Sequence, residues 1–501
     1  MNTKTYFRIS GLLIIVILFF VPCYLLLFIS NNKIASSKAS LTEVNTAFKS
    51  FDHSKQTLSN LVNDHWKDPR GIFPIIGYNL PEKTNDLVGA LKVIEKGGIN
   101  IIINGNLGWM PEPYKIKSAF KELQNSNLKW LAIIENECKD NFIFRNTNDK
   151  ININIKRYLS EFNDDFIYGW YVWDEPGLNK KLCSIFPESN NDFEDVNTIT
   201  NQIRSDSLFS DKLDFVNLYP TYWLGFNSSK DYENYIDEFF ASQEFKPRVL
   251  CADHYPLLKD EFGGFRNDYY LNLEILRKKS QEYNVPLWMI ILTSEHESYK
   301  KISFEEISLQ VFSALAYGAK GIMYYLYSKS WEHVTYNSWI LEDYVDNPNV
   351  ADSLHGPLFA PVQKLNENIQ TLGKILTNLK SVEVIHTSDY PNKQKEITQS
   401  LFKNNQSDKL IKEILRNGEA NTDSKLLIGV YEVINSTSSE DNFLLVVNKD
   451  VASSSKIVVT LNKEYRTFKF DKETGEKKLI NTNDSISSTI SAGSGELFYL
   501  E

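Results

Sequence analysis

The sequence lacks the signatures that most cofactor-dependent and nucleotide-dependent chemistry requires. It contains no phosphate-cradling loop, no Rossmann glycine pattern, no HExxH zinc helix and no GxSxG nucleophile elbow. Cysteine is scarce, with 4 in 501 residues. Cys23 lies inside an apolar run, which leaves Cys138, Cys183 and Cys251, an odd set without metal-ligand spacing. Buried thiols are therefore expected, and no disulfide framework. Positive charge is also in deficit: 54 Lys and Arg stand against 64 Asp and Glu, a net charge of −10. That balance argues against nucleic acid as a partner, and it leaves room for an acidic sugar held by a local Arg or Lys. Histidines number 7, and His254 and His296 lie far apart with no identifiable third ligand, so no metal and no cofactor is implied.

Aromatic residues are plentiful. Phe, Trp and Tyr make up 13% of the chain, with 26 Tyr and 9 Trp. Such rings suit a packed core, and equally a cleft whose walls meet the C–H faces of sugars. The remaining composition, 42% hydrophobic and 24% charged, is that of a globular protein, and the length predicts two domains with appendages. Lys4 and Arg8 precede an uncharged apolar run, "GLLIIVILFFVPCYLLLFIS" at 11–30, near the length of a membrane span. Residues 1–30 are expected to form an uncleaved membrane anchor, with cleavage near "KIASSKAS" as the alternative. The positive charge ahead of the run places the rest of the chain outside the cytoplasm, facing the periplasm or the exterior. A polar stalk is expected over 31–65.

From about residue 72 to about residue 327, eight short apolar runs alternate with amphipathic segments. They begin with "IFPIIGYN" (72–79), "INIIINGN" (99–106), "LKWLAIIENE" (128–137) and "FIYGWYVWDEP" (166–176). The other four are "LDFVNLYP" (213–220), "RVLCADHYP" (248–256), "PLWMIILT" (286–293) and "AKGIMYYLY" (319–327). Between them, "EKTNDLVGALKVIEKGG" ends on glycines as helices do, and Ser303 and Glu306 are spaced as a capping box. Eight buried-type strands in simple alternation predict an α/β fold, a (β/α)₈ TIM barrel over 66–380, with a doubly wound sheet as the alternative. After about residue 381 the runs shorten: "LLIGVYEVI", "NFLLVVNKD", "SKIVVTLN", "YRTFKFD" and "GELFYLE" predict a small all-β, sandwich-like domain over 381–501.

Ligand sites of parallel barrels lie at the C-terminal ends of the strands. Polar residues gather at those ends. Tyr78 follows the first run, Asn104 and Asn106 the second, Glu135 and Glu137 the third, and Asp174 and Glu175 the fourth. Asn217 and Tyr219 follow the fifth, and Asp253, His254 and Tyr255 the sixth. Glu295, His296 and Glu297 follow the seventh, and Tyr324, Tyr325 and Tyr327 the eighth. A supply of carboxylates, tyrosines, asparagines and tryptophans is what glycoside cleavage uses, since one carboxyl group protonates the leaving oxygen and another acts as nucleophile or base. Glu175 is the candidate acid: it sits beside Asp174 and among Trp170, Tyr171 and Trp173, and burial and a like charge both raise a carboxyl pKa. Asp174 serves equally well as a helix cap or a support for Glu175. Trp109, Trp223 and Trp331 follow strand ends, either as sugar platforms or as rim packing.

The segments "YVWDEP", "VNLYP", "DHYP" and "ALAYGAKGIMYYLY" resemble the barrel of glycoside hydrolases similar to family 42 β-galactosidases, over about residues 70–330. The resemblance implies a TIM barrel in which the fourth-strand glutamate, Glu175 here, is the acid/base. It also implies a glutamate nucleophile ending the seventh strand in a pattern such as Pro-x-Trp-x-x-Glu. Counted from Pro286-Leu287-Trp288, that register falls on Ile291, and Glu295 comes four residues later. Asp253 is the candidate base if the enzyme inverts.

The expected function is hydrolysis of glycosidic bonds in an oligo- or polysaccharide. Catalytic candidates are Glu175, Glu295 and Asp253. Candidate substrate-binding residues are Asp174, Tyr78, Asn104, Asn217, Tyr219, His254, Tyr255, Tyr324 and Tyr325. The missing seventh-strand glutamate keeps two alternatives open. One is a lyase or dehydratase eliminating across C4–C5 of a uronic-acid oligosaccharide, with Arg266 on the carboxylate. The other is a non-catalytic sugar-binding barrel.

Overall fold

A computed structural model of the chain describes residues 68–81, 86–104, 113–123, 126–133, 164–177, 190–329, 339–342, 355–386, 410–416, 419–420, 425–434 and 442–501. The expected anchor and stalk lie outside these residues, as do Asn106, Trp109, Glu135, Glu137, Cys138, Cys183 and Trp331. Among the described residues no helix is long and apolar enough to cross a membrane. Cys251 is a buried free thiol.

Each of the eight apolar runs yields a parallel strand. They are β1 (Ile75–Tyr78), β2 (Ile101–Ile103), β3 (Lys129–Ile133), β4 (Ile167–Asp174), β5 (Leu213–Leu218), β6 (Leu250–Asp253), β7 (Leu287–Leu292) and β8 (Gly321–Tyr325). They pair in chain order, and β8 closes on β1 through Ile76 opposite Met323. Both faces of these strands are covered, which is why they read as continuous apolar runs and not as alternating ones.

The described helices fall between the strands: α1 (Leu87–Lys96), α2 (Pro113–Glu122), α3 (Asp192–Ser205), α4 (Ser229–Ser242), α5 (Tyr269–Glu282), α6 (Phe304–Ala316) and α7 (Phe359–Leu376). The expected capping box is present at α6, where Ser303 and Glu306 satisfy each other's backbone N–H groups. Asp86 caps α1, and its C-terminus runs into Gly97 and the left-handed Gly98 (φ 84°).

Inside the barrel, Tyr171, Phe215 and Trp288 pack in sequence with their rings tilted, the centroids 5.0 and 5.9 Å apart. They fill the interior below the strand ends, so the barrel is a packed core and not a pore. Gly169 lets β4 approach β5: a Cβ there would stand 2.0 Å from the Leu213 carbonyl oxygen. Gly169→Ala is therefore expected to lower the thermal midpoint by about 10 °C or more, or to yield insoluble chain, as read by scanning fluorimetry.

The C-terminal part is all-β, as expected. One sheet orders β16 (Lys477–Asn481), β15 (Thr467–Phe470), β18 (Gly495–Leu500), β13 (Asn442–Asn448), β12 (Leu426–Val433) and β9 (Leu379–His386). The other orders β11 (Glu419–Ala420), β10 (Ile411–Arg416), β14 (Ser455–Leu461) and β17 (Ser485–Ile490). Leu426, Ile428 and Val430 of β12 join Val459 and Ile486 in a core between the sheets. The alternate residues of β12 face the barrel instead, where the Tyr431 hydroxyl donates to the Leu315 carbonyl of α6. Gly429 sits so close that a Cβ would lie 2.5 Å from the Ala316 oxygen. Sequence reasoning missed β9, β10, β11, β16 and β17. β17 reads "SISSTI" and β16 "KKLIN", both with too few apolar residues to stand out.

Candidate active site

At the C-terminal mouth of the barrel the strand ends enclose a cavity of about 450 Å³, within the usual range for small-molecule sites. Its lining includes the carboxyl groups of Asp174, Glu175, Asp253 and Glu297, together with Asn217 and Ile290. Tyrosines 78, 171, 222, 255, 299 and 325 supply most of the remaining wall, with Pro220, Trp223, His296 and the fully exposed Leu224 completing it. No Lys or Arg lines it among the described residues.

β4 delivers the first two carboxylates. Asp174 Oδ1 accepts from the Tyr171 hydroxyl at 2.7 Å and from Asn217 Nδ2 at 2.8 Å. Glu175 then takes a left-handed backbone conformation, φ 49°, which is costly for a residue with a Cβ. The surroundings hold it there. Its N–H donates to the Asn217 carbonyl at 2.8 Å, and the next carbonyl, of Pro176, accepts from the Tyr235 hydroxyl at 2.8 Å. The reversal redirects the chain at the mouth, and Glu175 lines the cleft directly after Asp174.

β5 and β6 complete the polar cluster. Asn217 Nδ2 also reaches Asp253 Oδ1 at 3.1 Å, so one amide nitrogen bridges two carboxyl groups. Burial and then the Asp174 charge push the Asp253 carboxyl up to about 7, against hydrogen bonds from Asn217, the backbone and Tyr255 that favour its ionised form. At neutral pH the Asp253 carboxyl therefore holds about half a proton on average, where a free aspartate holds almost none. Burial raises the Tyr255 and Tyr325 hydroxyls above their ordinary range, and the surrounding carboxylates add to the effect, so both are neutral donors at any working pH.

The loop after β5 forms an aromatic shelf. Tyr219 stacks on Trp223 at 4.6 Å, and a Cβ on Gly225 would lie 1.5 Å from the Trp223 ring. Only glycine fits that turn. Thr221 anchors the loop to Asp268 at 2.6 Å.

Of the candidate substrate-binding residues, Asp174, Tyr78, Asn217, Tyr255 and Tyr325 line the cavity. Four others do not. Tyr324 points into the helix layer, donating to Asn366 Oδ1 at 2.6 Å, because pleating sends it away from the face that Tyr325 occupies. His254 turns outward beside Asp253, with its Nε2 3.3 Å from Asp268 and under an edge-on contact with Tyr222. Despite burial, the Asp268 carboxyl is held low by its contacts with His254 and Thr221 and by a backbone hydrogen bond. Asn104 Oδ1 is taken up by Trp130 Nε1 at 2.9 Å and the Ile133 N–H at 3.3 Å. Tyr219 stands behind Trp223, outside the lining.

Among the catalytic candidates, Glu175 and Asp253 line the cavity and Glu295 does not. β7 presents Ile290 to the cleft, and Thr293 and Ser294 then turn inward to the Leu326 carbonyl. That turn carries Glu295 past the mouth, and the carboxylate that returns to the rim is Glu297. Arg266 is committed elsewhere: its guanidinium lies 3.8 Å from the Tyr222 ring centroid, and its Nε donates to the Tyr255 carbonyl at 3.1 Å. Sequence reasoning passed over Tyr171, Tyr222, Ile290 and Tyr299. The strand pleat and the aromatic loop sequence "YPTYWLGF" were the signals available for them. Among the described residues no group of three His, Cys, Asp or Glu is arranged to hold a metal ion.

Neither a family model nor a curated protein sequence matches the chain. Solved structures share its fold. A β-galactosidase from Bacillus circulans sp. alkalophilus superposes with a TM-score of 0.54 at 10% identity, over 86% of this chain and 99% of that one. A catalytic mutant of a family 42 β-galactosidase from G. stearothermophilus gives 0.45 at 9% identity, over 86% and 98%. A family 27 β-L-arabinopyranosidase from Geobacillus stearothermophilus gives 0.45 at 9% identity, over 86% and 97%. At such identities the likeness shows the fold and does not single out family 42. The chain has a TIM-barrel fold, a closed eight-stranded parallel barrel followed by an all-β region, which it shares with the β-galactosidase from Bacillus circulans.

Proposed function

We propose that this protein hydrolyses glycosidic bonds in an oligo- or polysaccharide, with Glu175 as general acid/base. One observation carries the reading: carboxyl groups and aromatic faces from different strands converge on one cavity at the barrel's C-terminal mouth. Glu175 lies in that cavity on a backbone turn pinned at both ends, the rigidity a proton-transferring group needs. Asp253 is its partner carboxyl group. Elimination from a uronic acid is disfavoured, because no described Lys or Arg lines the cleft and Arg266 faces Tyr222. If the apolar run at 11–30 anchors the chain, the barrel works outside the cytoplasm on external glycan.

A second assignment of roles is favoured by the Asn217 bridge. Its contacts of 2.8 and 3.1 Å keep the Asp174 and Asp253 oxygens within about 6 Å, near the spacing of retaining carboxyl pairs and below that of inverting ones. Asp253 holds its proton to about 7, as an acid should, while Asp174 is held in place by two hydrogen bonds, from Tyr171 and Asn217. In this assignment Asp253 protonates the leaving oxygen and Asp174 attacks the anomeric carbon.

Incubation of the protein with neutral and uronic-acid oligosaccharides, followed by product mass, ultraviolet absorbance and anomeric proton NMR, tests the function. Gain of one water per cleavage is expected, without new absorbance. Cleavage with a new C=C absorbance and no water gained would overturn hydrolysis. Retained anomeric configuration would favour the Asp174–Asp253 pair.

A further inference from the structure

We propose that the cleft receives a sugar bearing a free, protonated amine, a hexosamine unit without an N-acyl group, seated against Asp174, Asp253 and the neighbouring tyrosine rings. This rests on the glycosidase reading and narrows it to a substrate class.

The argument starts from donors and acceptors. A neutral pyranose offers hydroxyls that both donate and accept, whereas an ammonium group has three donors, no acceptor and a full positive charge. The described lining offers tyrosine hydroxyls as donors, and beside them several carboxyl groups able to accept from such a group. Asp174, Glu175, Asp253 and Glu297 are acceptors when ionised, and among the described residues no Lys or Arg lines the cavity with them. Asn217, which also lines the cavity, spends its amide donor on Asp174 and Asp253. That leaves Oδ1 as a buried acceptor without a hydrogen-bond partner, on a residue only 3% exposed. An acceptor in that state calls for a donor from outside the protein, because burying it unpaired is unfavourable.

The aromatic walls point the same way. Tyr255 and Tyr325 lie 5.4 Å apart with nearly parallel rings, and Tyr78 approaches Tyr325 at 5.2 Å. Ring faces beside carboxylates attract a cation by their quadrupole as well as meeting the apolar face of a sugar. The one guanidinium close to this wall, Arg266, sits on the Tyr222 ring and the Tyr255 carbonyl and is absent from the cavity lining.

Linkage supplies a signature. Asp253 faces Asp174 from β4, Asn217 from β5, Tyr222 from the following loop, Tyr255 beyond β6 and Tyr325 from β8. None of these is a cation, and the carboxyl keeps its proton to about 7. A bound ammonium would favour the ionised form, so binding near neutral pH should release a proton.

The test is isothermal titration of the full chain at pH 7 with D-glucosamine, D-galactosamine, their N-acetyl forms and the parent neutral hexoses. Each titration is run in two buffers of different ionisation enthalpy. The expected result is at least 10-fold tighter binding of one free amine than of its N-acetyl and neutral counterparts. Protons should be released only with the amine, and the preference should weaken as salt rises. Asp174→Asn should lose the preference, and the wild-type comparison stands alone if that variant fails to fold. Equal affinity for amine and N-acetyl sugar, or no binding of any amine, overturns the proposal while cleavage of neutral glycosides would still uphold hydrolysis. Preference for the amine with no glycoside cleaved upholds this proposal and overturns hydrolysis.

Discussion

Exchange of Glu175 for glutamine is expected to lower kcat on a cleavable glycoside by about 10²- to 10⁴-fold, with the thermal midpoint unchanged. The size follows from removing the proton carrier while leaving every contact of similar shape. The fold should survive because backbone interactions fix this turn: the Glu175 N–H to Asn217 and the Pro176 carbonyl to Tyr235. Glutamine adopts the left-handed conformation no less readily than glutamate. Steady-state kinetics beside a melting curve settles the matter. A loss under 10-fold in Glu175→Gln, with a large loss in Asp253→Asn, would move the acid role to Asp253. Full activity in both variants would remove both assignments.

Asp253→Asn should do two things at once, abolish turnover and raise stability at alkaline pH. The folded protein holds the Asp253 proton to about 7, through burial and the Asp174 charge, whereas a free aspartate releases it at 3.8. Between those values the folded state binds more protons than the unfolded one, so stability falls as pH rises through that window. Above it the full cost of a second buried negative charge is present. Asparagine carries no charge there, and its carbonyl oxygen can still accept from Asn217. The variant should therefore melt near the wild type at pH 4 and several degrees above it at pH 8. A difference that is constant across pH, or that falls as pH rises, would show that Asp253 is not the strained carboxyl group. The combination is what a functional site predicts: groups that cost stability where they perform chemistry.

Much of the fold was legible because strand and helix signals are local. The eight apolar runs each became a strand, and Ser303 with Glu306 became a capping box, since composition and spacing act within a few residues. The all-β region was recognisable from β12, β13, β14, β15 and β18, whose apolar content is high. In β12, "LLIGVYEVI" carries no alternation because one face joins the sandwich core and the other meets α6. β16, exposed along most of its length, has only Leu479 and Ile480 as apolar residues and did not stand out.

The site divides along the same line. That polar residues cluster at one end of the strands could be read directly, because each run ends where its apolar residues end. The direction in which each residue points could not. Strands covered on both faces lose the alternation that marks inside from outside, so Tyr324 and Tyr325 look equivalent until the pleat sends one to Asn366 and the other to the cleft. Asp253 and His254 divide in the same way, as do Ile290 and the displaced Glu295. The Asn217 amide joins residues 43 and 36 positions away, and only barrel closure brings those strand ends together. Chain order thus determined which residues reach the mouth. Tertiary packing decided which of them face it, and with that which carboxyl group keeps its proton.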